Sequence, residues 1–71
     1  MNVADGIRAA REAKGLTHAQ LARACRVNVV SVRRWERGIH EPYMTNRADL
    51  ERVLGIRFVR TMSVLVGQEE A

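Results

Sequence analysis

The stretch Thr17-His18-Ala19-Gln20-Leu21-Ala22-Arg23-Ala24-Cys25-Arg26-Val27-Asn28-Val29-Val30-Ser31-Val32-Arg33-Arg34-Trp35-Glu36-Arg37-Gly38 decides how this chain folds. Thr17 with Gln20 three positions later is the signature of a capping box, in which side chain and backbone at a helix start satisfy one another. A helix therefore opens there and runs to about Cys25, with Leu21, Ala22 and Cys25 as its apolar face. Asn28 is a natural N-cap for a following helix, about 28–37, and Gly38 supplies its stop. The link between the two is only about three residues. Helices of about eight to ten residues joined so tightly have no room to lie antiparallel in full contact, so they must cross steeply.

Working outward, residues from about Asp5 to Lys14 place Ile7, Ala10, Arg11 and Lys14 on one helical face, and Gly15 follows where a left-handed residue ends a helix. Beyond Gly38 comes a loop to Thr45 holding the single proline, Pro42. A fourth helix is predicted from about Asn46 to Leu54, with Ala48, Leu50, Val53 and Leu54 apolar and Gly55 closing it. Residues 56–66 read two ways. Phe58, Val59, Met62, Leu65 and Val66 fit a helical stripe, yet the stretch lacks an N-cap and is rich in β-branched residues, which tilts the reading toward a strand. Either form leaves more apolar surface than a four-helix core covers, or caps that core. The expectation is an all-α fold: a compact four- to five-helix domain over residues 1–56, then an apolar segment and polar tail over 57–71. Within that tail, 57–66 is a candidate dimerisation strand.

Seventy-one residues suffice for one small domain that buries roughly 60% of its unfolded surface, and exclude a doubly wound sheet, a barrel or a built-in small-molecule sensor domain. The apolar fraction of 46% argues against disorder, and no run is long enough to span a membrane. The amino terminus lacks a secretory pattern, so a cytoplasmic location is expected. One cysteine, Cys25, excludes an internal disulfide and a cysteine-rich zinc site. With two histidines and no paired-acid or Gly-rich phosphate signature, neither an enzyme nor a metal or cofactor is expected.

The formal charge is +4, and Thr17 to His40 carries all of that excess: five arginines, Arg23, Arg26, Arg33, Arg34 and Arg37, against the one acid Glu36. Eleven of the twelve basic residues are arginine, whose planar guanidinium makes bidentate contacts with phosphates and guanine edges that lysine does not match. The charge nominates nucleic acid as a partner; a solvated basic surface or a GC-rich coding bias produces the same composition.

Taken together, these residues resemble the XRE family of helix-turn-helix proteins, the group of phage repressors and Cro-like regulators. The resemblance covers about Ile7 to Ile56 and includes Arg11-Glu12-Ala13-Lys14-Gly15-Leu16-Thr17, then Trp35-Glu36-Arg37-Gly38, Pro42 and Leu54-Gly55-Ile56. It implies a sequence-specific double-stranded DNA-binding transcriptional regulator, with repression the expected mode, that inserts helix 28–37 in the major groove. It also implies an internal ion pair between Arg11 and Glu36. One position departs from the pattern: Arg26 stands where the family has glycine, so either this arginine carries a positive φ at a cost of about 1 kcal/mol or the turn differs.

In helix-turn-helix docking, the N-terminal part of the second motif helix meets base edges. The candidates are Val29 and Val30, against thymine methyls, and Arg34, against guanine O6 and N7. Arg33 is either a second base contact or a phosphate clamp, and either valine alone would also serve to complete the core. The backbone-contact candidates are Thr17, His18 and Asn28, at helix starts where free N–H groups favour phosphate, and Arg37 at the far end of its helix. A single small module buries only about 600–1,000 Å² on DNA, so a homodimer on a pseudo-palindromic operator is expected. The rival reading is a protein-interaction module, an antitoxin or phage accessory factor built on the same scaffold.

Overall fold

The computed structural model describes residues 2–58, and these form four α-helices: α1 (Val3–Ala13), α2 (His18–Cys25), α3 (Val29–Arg37) and α4 (Met44–Leu54). α2 and α3 begin where their caps are encoded. Thr17 Oγ1 accepts from the Gln20 N–H at 3.0 Å while Gln20 Oε1 accepts from the Thr17 N–H at 2.8 Å, closing the capping box. Asn28 Oδ1 accepts from the Val30 N–H at 2.8 Å.

The other two helices begin two residues earlier than the sequence suggests. α1 starts at Val3 because Asn2 caps it, its Oδ1 accepting from the Asp5 N–H at 2.8 Å. α4 starts at Met44 rather than near Asn46, after an extended Tyr43 that gives no side-chain cap. Arg47, one turn in, closes this start instead: its Nε donates to the Pro42 carbonyl at 3.0 Å and its backbone N–H to the Tyr43 carbonyl at 2.9 Å.

The α2–α3 turn retains its geometry without glycine. Arg26 lies in the left-handed region, φ 59° and ψ 41°, and is the one non-glycine residue with positive φ among those described. The Val27 N–H reaches back to the Ala22 carbonyl at 2.9 Å and the Arg26 N–H to Arg23 at 3.1 Å. That pair of bonds is a Schellman closure, which absorbs the last carbonyls of α2. Its cost is the αL strain of a side-chain-bearing residue, about 1–2 kcal/mol.

The core draws on every helix: Ile7 from α1, Leu21, Ala22 and Cys25 from α2, Val32 and Trp35 from α3, Leu50 and Leu54 from α4. α3 packs against α1 and α2, and α4 covers both α1 and α2 from the other side. Ala22 is buried on α2, the helix that packs against both α3 and α4. A large side chain there would hold its neighbours apart, since cores tolerate added volume poorly. Beyond Leu54 the chain runs as Gly55 to Phe58 in neither helix nor strand. Phe58 packs on the core and its N–H donates to Glu51 Oε2 at 2.8 Å. The expected strand or helix over 57–66 falls, past Phe58, outside the described residues. Among the described residues, no helix is long and apolar enough to cross a membrane.

Candidate nucleic-acid interface

α3 is nine residues long and has two chemically distinct sides. Val32, Trp35 and Glu36 are buried, whereas Val30, Arg33, Arg34 and Arg37 are exposed. The two valines part company: Val30 is 47% exposed, while Val29 is half-buried and packs on the core. Val29 thus serves the fold as well as any contact it makes, and Val30 is the apolar group that projects freely from the start of the helix.

Adjacent residues on an α-helix point about 100° apart. Arg33 and Arg34 accordingly enter two different clefts. Arg34 lines one formed with Ser31, Trp35, His40, Glu41, Tyr43 and Asn46, between α3 and the loop leading to α4. Arg33 and Arg37 line another with Arg8, Arg11 and Glu12 of α1, His18 of α2 and Glu36 of α3. The arginines therefore do not form one stripe; they flank the outward side of α3 on both edges.

The second cleft is organised around a buried carboxylate. Glu36 is 4% exposed and Arg11 8%. Arg11 Nε donates to Glu36 Oε2 at 2.7 Å and its Nη2 to Oε1 at 3.2 Å, a bidentate pair, while Nη1 donates to the Leu16 carbonyl at 2.9 Å. One guanidinium thus ties α1 to α3 and to the α1–α2 connection. His18 Nε2 lies 3.1 Å from Glu36 Oε1. Burial by itself would push the Glu36 carboxyl upward, but hydrogen bonds from Arg11 and His18 and the Arg11 charge outweigh it and hold the group below the ordinary glutamate range. The same hydrogen bond raises Arg11, against its desolvation.

Arg8 adds a contact that sequence reading missed. Its Nη2 donates to the Glu36 backbone carbonyl at 2.8 Å and its Nε stands 3.7 Å from Glu36 Oε1. A cation near the last turn of α3 complements the helix dipole. The one available signal was its spacing, one turn before Arg11 on the same helix.

Among the backbone-contact candidates, Thr17 and Asn28 spend their side-chain oxygens on capping, leaving the Thr17 hydroxyl proton and the Asn28 amide protons as donors. His18 is half-buried over Glu36 and Arg37 is exposed. The structure brings His18, Arg33 and Arg37 into one cleft, puts Arg34 in the other, and leaves Val30 projecting from the N-terminal end of the same helix. Cys25 is buried, and burial pushes its thiol upward, away from the thiolate that a nucleophile needs. Among the described residues, no cluster of His, Cys, Asp or Glu has the grouping to hold a metal ion.

The helix-turn-helix family matches residues 7–59 of the chain, spanning all of α2, α3 and α4 and most of α1. No curated protein and no solved structure matches it. With that match over most of its length, and with a capped α2, a three-residue turn and an outward-facing arginine-rich α3, the chain belongs to the XRE family of helix-turn-helix DNA-binding proteins.

Proposed function

We propose that the protein is a sequence-specific transcriptional repressor that binds double-stranded DNA as a homodimer and reads the major groove with α3. The observation that carries this reading is the outward surface of α3, where Val30 projects from the N-terminal half and arginines stand on both flanks. A groove about 12 Å wide admits a helix in this orientation. Val30 then meets thymine methyls, with Val29 beside it, and Arg34, one turn on, meets guanine O6 and N7. Arg33 shares its cleft with Arg37 and His18, which favours the phosphate-clamp role over a second base contact. Thr17, His18, Asn28 and Arg37 place donors toward the backbone on either side of the groove, positioning the helix without carrying sequence information.

Pairing of two copies is supported by the modest surface one module buries on DNA, and by exposed apolar side chains at the α3–α4 junction. Ile39, Tyr43 and Met44 are 60%, 79% and 75% exposed there. The apolar residues 57–66 remain the proposed dimer segment. Repression follows from occupancy alone: a small domain seated on a promoter blocks access without further machinery.

Selection of binding sites from random duplexes tests the reading. The expected product is a two-fold symmetric site with half-site centres roughly one helical turn apart, about 34 Å. Recovery of an unenriched pool, or salt-insensitive binding to a protein in preference to DNA, would instead support an interaction module on this scaffold.

A further inference from the structure

A histidine ring changes charge between about pH 5 and pH 8, and the charges around it decide when. His18 occupies the first turn of α2, half-buried, with Nε2 3.1 Å from Glu36 Oε1. The groups facing it come from two other helices: Arg8, Arg11 and Glu12 from α1, and Arg33, Glu36 and Arg37 from α3. Its own helix has no acid in its first turn. Glu36 is already held by the bidentate Arg11. Four guanidiniums and two carboxylates thus line the cleft around the ring.

A phosphate diester entering this cleft meets a lining of net positive charge. It adds a negative charge beside the ring, and its oxygens accept from Arg33, Arg37 and the exposed part of Arg8. A protonated His18 has two N–H donors: Nε2–H keeps Glu36, and the second ring nitrogen becomes a donor as well. A neutral ring that donates through Nε2 offers only a lone pair at the other nitrogen, which a phosphate oxygen repels.

We propose that the cleft between α1, α2 and α3 takes one backbone phosphate together with one proton on His18, so that duplex affinity rises as pH falls. This rests on the DNA-binding reading and adds to it a proton taken up per protomer. By linkage, anything that binds the protonated form better must raise its population, and the slope of log affinity against pH counts the protons gained.

The test uses the full chain and a mixed-sequence DNA duplex, with affinity read by fluorescence anisotropy at constant ionic strength. The wild type is expected to tighten about threefold or more between about pH 8 and about pH 6, the range of histidine titration. His18→Gln, whose amide still reaches toward Glu36, is expected to lose that slope. His40→Gln is expected to keep it, since His40 lies in the other cleft. Calorimetry in buffers of differing ionisation enthalpy is expected to register proton uptake for the wild type and none for His18→Gln.

A pH-independent wild type, a His18→Gln slope equal to the wild type's, or a slope abolished by His40→Gln each overturns the proposal while leaving DNA binding intact. Failure to bind the duplex at any pH overturns the DNA-binding reading itself. If His18→Gln does not fold, proton NMR of the wild-type ring decides. Its titration must move to higher pH on adding duplex, and an unmoved titration overturns the proposal.

Discussion

Glu36 is a carboxylate that the fold withdraws from water and then surrounds with donors, and this one residue links stability to the cleft of the proposed interface. Its partner Arg11 makes three hydrogen bonds, two to the carboxylate and one to the Leu16 carbonyl. Removing one side of a buried pair leaves the other charge uncompensated. Arg11→Ala is therefore expected to cost about 3–5 kcal/mol, read as a lowered denaturation midpoint; a variant that melts like the parent would contradict the account. The Glu36 carboxyl is depressed in the folded state, so its contribution is present above the unfolded value, about 4.3, and is lost as pH falls through the folded one. Denaturation midpoints should fall with pH below that range, and less steeply in Glu36→Gln. Under the proposed docking, Arg34 and Arg37 differ in kind. Arg34→Ala should relax preference at one base per half-site, about 1–3 kcal/mol, while Arg37→Ala should weaken all duplexes alike and lower the log–log salt slope by about 0.9. Binding-site selection and salt titration on both variants separate the two roles. The Arg11–Glu36 contact was legible only through resemblance, because the two residues are 25 positions apart. Arg8 was legible only as a basic residue one turn before Arg11; its target, a backbone carbonyl 28 positions away, is encoded by no local pattern.

Elements were legible where their ends are chemically local. α2 and α3 begin at Thr17 and Asn28 because those side chains bond to N–H groups within three residues, and the sequence displays both partners. α4 was misplaced by two residues because Tyr43 does not cap it. Its start depends on Arg47, whose Nε holds the Pro42 carbonyl, whose Nη2 holds Glu41 Oε1 at 3.0 Å and whose guanidinium lies 5.5 Å from the Phe58 ring centre. That arrangement is tertiary, with Phe58 eleven positions away, and is invisible to capping rules. The tight turn between α2 and α3 tolerates Arg26 in the left-handed region because the Schellman bonds from Arg26 and Val27 fix it there. Arg26→Gly should relieve that strain while adding flexibility to the unfolded chain. The net expectation is a gain of up to about 1 kcal/mol, or roughly 4–8 °C in Tm for a domain this small. A thermal melt reads it, and a lowered Tm would mean that the arginine side chain contributes more than its backbone costs.

At the scale of the whole molecule, charge and topology converge. The net +4 is carried by Thr17–His40, the segment that folds into α2, the turn and α3. The core uses one side of each helix, so the fold leaves the rest of α3 outward and sets its arginines in clefts on either flank. Helical position already set Arg34 apart from Arg33; what the sequence could not convey is the two clefts they enter, whose walls come from α1 and the α3–α4 loop. Electrostatics of this kind attracts any duplex, and discrimination comes from base contacts and from duplex shape. The central claim, that α3 reads sequence, is tested most directly by the ratio of affinities for a selected site and for a scrambled duplex of equal length at physiological salt. The account predicts a ratio of about 10³ or more, falling when Arg34 is replaced by alanine. Equal affinity for the two duplexes would contradict it.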